Sequence, residues 1–502
     1  MPFPFNLFSH HSARVCSMSP PSPCTRPHAL MLPFPETGHI NPLMHLAQYL
    51  SSYHGFLITF VNTQYNHSRI VKANSGRLPS EHGLDIQLVG IPDGLSDDDN
   101  RDNDVPIFVR LIENIGPVLE ELICKINAEC PQRRVTCIIS DVNAFKTIDV
   151  AQKLGIPRIA FWPPNASVHS YICHASHASS TGEFSAKGVP DLGEMVSFPG
   201  VPSIEGTKLP WVVGSEEEIE AVFHSVSRNV NALRQSEWVI CNSVHELEPT
   251  VQDLLPAGYP KVCPVGPILP IELLEKSDTR QDRITTSMWV EQDECLDWLD
   301  TQEAHSVLYV SVGSFAMLNK EQLLELAHGL EASETPILWV LREDLAKSAD
   351  NLPEGYRQRN ERRIRIVEWC PQLLVLSHKS VGAFLTHCGW NSTLEGMSMG
   401  VPMLTWPQMV DQFVNAELVV KEWGVGMELG QGFVGWAVVE SKVRKLMSAD
   451  GEARLLRAKA AETRSMILEA RRGGGSSQTN LLRFVHWMKQ QSEVIVENGR
   501  VH

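Results

Sequence analysis

Residues Trp369 to Gln412 read WCPQLLVLSHKSVGAFLTHCGWNSTLEGMSMGVPMLTWPQMVDQ, and the order of residue types in this stretch decides how the whole chain is read. The uncharged run Val381 to Leu385 suits a strand buried on both faces. It gives way to His387-Cys388-Gly389-Trp390, and Asn391 then opens a segment of helical spacing. A strand that turns straight into a helix leaves unpaired N–H groups and the positive end of the helix dipole at a sheet edge, a small neutral cradle for phosphate. Glu395 falls four residues beyond Asn391, on the same helical face, where a carboxylate can accept two bonds from a ribose diol. Trp369 lies just past another strand end, positioned to stack its indole on a planar base; the competing reading makes it a core aromatic.

Outward from this box, short apolar runs alternate with helical segments, the pattern of crossover helices joining a mostly parallel sheet. The first half offers strands at Ala29–Phe34, Phe56–Asn62, Ile86–Ile91, Val135–Ser140 and Pro157–Phe161, with a helix over Ile107–Ala128. The second half offers Ser306–Val312, Pro336–Leu341, Ile364–Val367, Val381–Leu385 and Pro402–Thr405. A chain of 502 residues accommodates two such domains at about 150 residues or more each. The expected layout is an α/β fold of two doubly wound domains: an extension over 1–25, an N-terminal domain over 26–265, a linker over 266–290, a C-terminal domain over 291–475, and a helix over 476–495 packing back as a strap. Doubly wound sheets bind ligands at the carboxyl ends of their strands, so the shared site is expected in a cleft between the two domains.

Composition narrows the partners. A formal net charge of −16 disfavours nucleic acid, and no run reaches the roughly 18 uncharged apolar residues of a membrane span. Eleven cysteines without a C-x-x-C pair suggest free thiols of a reducing, cytoplasmic compartment. The first 25 residues carry Arg14 and no acid, leaving plastid targeting open beside a plain disordered extension.

The first strand runs into Glu36-Thr37-Gly38-His39-Ile40-Asn41-Pro42, after which Leu43, Leu46, Ala47 and Leu50 recur at helical spacing. Asn as N-cap and Pro as first helical residue predict that the helix begins at Asn41 and Pro42. His39 would then sit in a tight loop at a strand end, mostly neutral at physiological pH and able to take a proton from a hydroxyl; equally, it could merely cap the turn. Asp141, after the strand Val135–Ser140, reaches the same sheet edge and could orient such a base or N-cap the next helix.

The Trp369–Gln412 box, the PFPETGHINPL loop, the CIISD strand end and the GSFA turn at Gly313 to Ala316 together resemble the plant secondary-product glycosyltransferases, family 1 of the sugar-nucleotide-dependent transferases with the GT-B architecture. That resemblance implies two facing Rossmann-like domains. It implies His39 as base with Asp141 as its partner, and transfer of glucose from UDP-glucose to a small apolar acceptor with inversion at the anomeric carbon. It implies that Trp369, Gln372 and Glu395 hold uridine and that Ser314, His387, Asn391 and Ser392 hold the diphosphate. Cys370 falls in the same donor-binding signature, and Trp390, Asp411 and Gln412 are implied to read the hexose. A final glutamine in this box goes with glucose in the family, histidine with galactose. UDP-sugar is a co-substrate, no metal or other cofactor is implied, and a monomer is expected. Two departures, Thr37 where many relatives carry glutamine and the pair Phe145-Lys146, bear on the choice of acceptor. Candidate acceptor contacts are Phe108, Phe145, Trp162 and Asn165, with the Pro210-Trp211 loop.

Rival readings are weaker. Gly430-Gln431-Gly432-Phe433-Val434-Gly435 fits a dinucleotide fingerprint, but that motif needs a returning strand with an acid about 20 residues on, where Gly451–Arg471 reads as one long helix. The acidic residues of 97–104 contain D-x-D patterns but sit among Gly, Ser and Asn, as a solvated loop does. A non-catalytic binder of sugar nucleotides would keep the box without needing His39 and Asp141.

Overall fold

Apolar runs that each feed a helix become two parallel sheets in the computed structural model, which describes residues 26–74, 79–95, 105–190, 193–275, 287–313, 318–342, 352–449 and 451–498, without the side chains of 82, 105–114, 275 and 498. The strands are β1 (His28–Leu32), β2 (Leu57–Thr63), β3 (Ile86–Ile91), β4 (Cys137–Asp141), β5 (Arg158–Trp162), β6 (Met195–Val196), β7 (Ile204–Glu205), β8 (Trp238–Cys241), β9 (Cys263–Pro264), β10 (Val307–Ser311), β11 (Ile337–Val340), β12 (Ile364–Val367), β13 (Val381–Thr386), β14 (Met403–Thr405) and β15 (Gly426–Glu428). The N-terminal sheet runs β3-β2-β1-β4-β5-β8-β9 and the C-terminal sheet β12-β11-β10-β13-β14-β15. In both sheets the order reverses beside the first strand, so a crevice opens at the carboxyl ends of β1 and β4 and of β10 and β13. The strand positions expected from the sequence hold, with small shifts at their ends. The interior strand β8 and the edge strands β9 and β15 were not among the expected strands.

The first helix corrects one expectation. It spans Thr37–His54 with Glu36 at the N-cap, so Asn41 is not its cap and Pro42 lies inside it. Packing decides the start: Thr37 and Ile40 are already buried, and the helix forms early to bury them. The linker expected over 266–290 contains a short helix, Ile271–Glu275, and 276–286 fall outside the described residues, as do 1–25 and the acidic stretch 97–104. Gly451–Arg471 is a single helix, so no strand returns to complete a dinucleotide fingerprint at Gly430.

The domains are joined through side chains as well as chain. One apolar cluster runs from Trp162 and Trp211 of the N-terminal domain to Trp390 and Trp423 of the C-terminal domain. Trp390 Nε1 donates to the Asn242 carbonyl at 2.7 Å and Trp423 Nε1 to that of Leu247 at 3.0 Å. The final helix, Ser476–Asn498, follows the C-terminal domain but packs on the N-terminal sheet: Leu481, Phe484, Val485 and Met488 join its core, and Phe484 lies 5.6 Å from Trp238. Its Asn480 Nδ2 donates to the Pro264 carbonyl at 2.9 Å.

Phe484→Ala is expected to cost about 3–5 kcal/mol, because a fully buried ring is removed where the backbone cannot collapse inward. Chemical denaturation should show the midpoint falling; an unchanged midpoint would mean that the strap is not held there.

Candidate active site

β1 pairs with β4 in parallel, Leu32 opposite Ser140, so residues just past the two strands emerge side by side. His39 Nδ1 and Asp141 Oδ2 lie 2.6 Å apart. A carboxylate can only accept, so Nδ1 carries the proton and Nε2 keeps a lone pair for the cleft. The His39 side chain is 24% exposed and the Asp141 side chain 0%. Asp141 does not cap the next helix, which starts at Thr147; instead its Oδ1 accepts from the Asn143 N–H at 2.9 Å. Beneath it lies Arg158, a buried cation that the sequence reading missed. Its guanidinium donates to the Asp141 carbonyl at 3.1 Å, to Ser140 Oγ at 3.0 Å and to Ser236 Oγ at 2.6 Å. Burial draws its pKa down to about 10, with the Asp141 charge opposing. Burial acts to lower the His39 pKa too, but the charge and hydrogen bond of Asp141, with lesser help from Glu36 and Asp411, overcome it and raise the imidazole above its ordinary 6.5.

Across a cleft of about 1190 Å³ stands the C-terminal domain. β13 leads through Cys388, in the left-handed region at φ 64°, to the helix Trp390–Met399. Its N-cap, Gly389, has no side chain to accept from the first-turn N–H groups, and Gly389 to Ser392 line the cleft. The His387 ring is held between two glycines: a Cβ at Gly313 or Gly389 would come within 2.4 or 2.5 Å of its Nε2. Burial lowers its pKa to about 4 against the opposing Ser311 carbonyl, so it is neutral, and its Nδ1 makes no hydrogen bond among the described residues. Gln372 organises the next group, its Nε2 donating to Glu395 Oε2 at 2.7 Å and Ser392 Oγ at 3.0 Å while its Oε1 accepts from Tyr309 at 2.9 Å. Burial raises the Glu395 carboxyl to about 7, the Gln372 bond acting in the other direction. Cys370 is buried with its thiol 3.5 Å from the Tyr309 hydroxyl. Trp369 lines the cleft and is stacked at 4.3 Å on Trp289, which does not line it and so backs the far face; Arg69 of the N-terminal domain lies 4.7 Å from Trp289 on the same stack.

Asp411 and Gln412 also line the cleft. Burial raises the Asp411 carboxyl to about 6, opposed by the 2.9 Å bond from Asn415 Nδ2 and by His39. Gln412 Oε1 is already taken by the Gln408 and Met409 N–H groups at 2.9 and 3.1 Å, leaving its amide NH₂ as the end available to a ligand. The Trp390 indole N–H is likewise committed, to Asn242, so the ring alone faces the cleft. Asn391 lines the cleft while Nδ2 donates to the Gly38 carbonyl at 2.7 Å, a contact between domains. Ser314 lies outside the described residues.

The acceptor contacts need correcting. Trp162 is buried with its indole N–H on the Asn165 carbonyl at 3.0 Å, and Asn165 is fully buried, capping the helix Ala166–Thr181 and donating to Asn415 Oδ1 at 2.7 Å. Phe145 lies under Arg228 at 4.5 Å, and Trp211 donates to the Gly188 carbonyl at 2.8 Å in the core. None of these lines the cleft, because each satisfies its polar atom or ring within its own domain or across the interface. Phe108 falls on the helix Val105–Glu129, its side chain outside the described residues. The apolar wall near His39 comes from Phe34, Pro163, Val213, Val222 and Val226. Val222 and Val226 stand one turn apart on the helix Glu216–Ala232, a spacing that sequence could have flagged. Among the described residues no cluster of three or more His, Cys, Asp or Glu is placed to hold a metal ion, and no helix is long and apolar enough to cross a membrane.

Two facing doubly wound domains with ligand-binding groups on both lips of the cleft define a GT-B protein. A family model described as UDP-glucoronosyl and UDP-glucosyl transferase matches residues 290–448. UDP-glycosyltransferase 85A5 of Arabidopsis thaliana is 36% identical over 91% of the chain and 95% of that protein. (R)-mandelonitrile beta-glucosyltransferase of Prunus dulcis is 33% identical over 92% of the chain and 96% of its own length. The crystal structure of Os79 from O. sativa in complex with UDP matches with a TM-score of 0.76 at 28% identity, covering 92% of this chain and all of that one. The chain belongs to the plant UDP-glycosyltransferases of family 1.

Titration of the His39 ring by NMR in histidine-labelled protein is expected to give a pKa above 6.5, and a lower value in Asp141→Asn, where burial remains but the charge is gone. A His39 pKa that does not move in that variant would contradict the pairing.

Proposed function

We propose that the protein transfers glucose from UDP-glucose to a hydroxyl, or carboxyl, of a small apolar acceptor, with inversion at the anomeric carbon. The observation that carries this reading is the His39–Asp141 pair, which opens on the same cleft as the helix end at Gly389 to Ser392. The acceptor rests against Phe34, Pro163, Val222 and Val226, its oxygen presented to His39 Nε2. As that oxygen bonds to C1 of the sugar, the neutral imidazole takes its proton, and Asp141 stabilises the imidazolium and fixes its orientation. UDP departs from the opposite face, its new charge taken up by the helix end with His387 beside it. Inversion yields a β-glucoside.

Uridine is assigned to Trp369, Gln372 and Glu395. Trp289 backs the base platform, and the ribose diol would donate to Glu395 in its ionised form. The hexose is assigned to Asp411, the Gln412 amide and the Trp390 ring. Support for glucose comes from Gln412 and from relatives such as the (R)-mandelonitrile beta-glucosyltransferase of Prunus dulcis. The charge of the leaving diphosphate is met by backbone and helix dipole, and no metal is invoked.

His39→Ala is expected to lower kcat by about 10²–10⁴-fold with UDP-glucose and a responsive hydroxyl acceptor, since a positioned base is worth that much. Release of UDP measured across a panel of phenols and alcohols checks it; full activity in this variant sinks the base assignment, and an α-linked product sinks inversion. The base works unprotonated, so activity should fall as pH drops through the raised His39 pKa. In Asp141→Asn that acid limb should move to lower pH. Turnover is expected to persist in EDTA; loss that a divalent cation reverses would overturn the metal-free reading.

A further inference from the structure

The helix that carries the base contains a proline where an α-helix normally needs an N–H. In Thr37–His54 the amide of residue 42 would bond back to the carbonyl of residue 38, but Pro42 has no N–H, and its ring crowds that same carbonyl outward. The Gly38 carbonyl is therefore left over from the helix, one peptide before His39. It does not remain unmade: Asn391 Nδ2, in the first turn of the helix Trp390–Met399 of the opposite domain, donates to it at 2.7 Å. Gly38 is exposed, so water could also serve this carbonyl; among the described residues the side chain that takes it is Asn391, from the other domain.

We infer that Pro42 is a positioning residue: by withholding an N–H it hands the Gly38 carbonyl to Asn391 and so ties the base-bearing turn to the phosphate-facing helix across the cleft. The inference rests on the proposed role of His39 as base, since its value lies in fixing the distance between that ring and the anomeric carbon. Three facts converge on it. Glu36 accepts from both the His39 and Ile40 N–H groups at 2.9 Å, so the turn is anchored on its N-terminal side within its own domain. Asp141 fixes the His39 ring from below. The bond to Asn391 supplies the third point, from the opposite domain, and it makes the position of the base depend on the separation of the two domains.

Proline inside a helix ordinarily lowers stability, whereas a purely structural residue loses stability when replaced. Pro42→Ala therefore separates the two. Restoring the N–H lets the first turn close on itself and draws the Gly38 carbonyl away from Asn391. The expected result is a thermal midpoint equal to or above that of the parent, a kcat about tenfold lower, in keeping with one lost hydrogen bond, and a KM for UDP-glucose changed little. Asn391→Ala, alone and combined with Pro42→Ala, closes the cycle: the proline substitution should cost little once Asn391 can no longer donate. A Pro42→Ala enzyme with unchanged kcat, or losses that multiply in the double variant, overturns the inference. His39→Ala run alongside keeps the two readings apart: activity retained there sinks the base assignment itself, whereas an inactive His39→Ala beside a fully active Pro42→Ala sinks only the role of Pro42.

Discussion

An aspartate with no exposure to water lies 2.6 Å from an imidazole that opens on the interdomain cleft, and much of the N-terminal domain is arranged to make that contact tolerable. A buried carboxylate needs partners, and Asp141 has three kinds: the His39 ring, the Asn143 N–H and the positive charge of Arg158 close behind. Arg158 is itself satisfied by Ser140, Ser236 and a main-chain carbonyl. The parallel register of β1 and β4 places the whole chain of contacts at one sheet edge. Removing one of the charged members leaves another buried without its complement, so this group acts as one electrostatic unit.

The C-terminal side of the cleft, where the diphosphate is proposed to sit, faces a different problem. A diphosphate is anionic and the protein carries a net charge of −16. Burial holds Glu395 near 7 and Asp411 near 6, so both carboxyls are partly protonated at neutral pH, which softens repulsion toward an incoming anion. His387 is neutral for the same reason, and the attraction falls to main-chain amides at a helix end, which cost no desolvation of a cation. Asp411 also faces His39 closely enough to help raise its pKa, so the two lips of the cleft are electrically coupled.

Interdomain geometry is set largely by side chains of the C-terminal domain reaching main-chain carbonyls of the N-terminal domain: Trp390 to Asn242, Trp423 to Leu247 and Asn391 to Gly38. Backbone acceptors move only with the fold, so these bonds define a separation more firmly than exposed ion pairs would. The Ser476–Asn498 strap adds an apolar grip from outside, and the stack of Arg69, Trp289 and Trp369 links an N-terminal helix to the cleft wall at Trp369 through the chain between domains.

How much of this could be read from the chain follows from the range of each interaction. Strand and helix identity, the βα order and the Trp369–Gln412 box are local patterns, so they were legible, and the alternation of apolar runs with helical spacing fixes two doubly wound sheets whatever the loops do. The start of the first helix was misplaced at Asn41 because a good cap and a proline are local signals, whereas burial of Thr37 and Ile40 is tertiary. Trp162 and Asn165 looked like pocket walls because they follow a strand, yet a buried indole and amide must satisfy their polar atoms, and the nearest partners turned both inward. Arg158, Trp289 and the Gly38–Asn391 bond were out of reach, since each acquires its meaning from a residue far away in sequence. The sequence by itself determined the two sheets and placed His39, Asp141 and the donor box at their carboxyl ends, because hydrophobic periodicity and strand-to-helix turns act over a few residues. Only the tertiary structure decided which of those groups face the cleft, which are spent holding the domains together, and how far burial moves their protonation, because these depend on distances between residues that the chain brings together last.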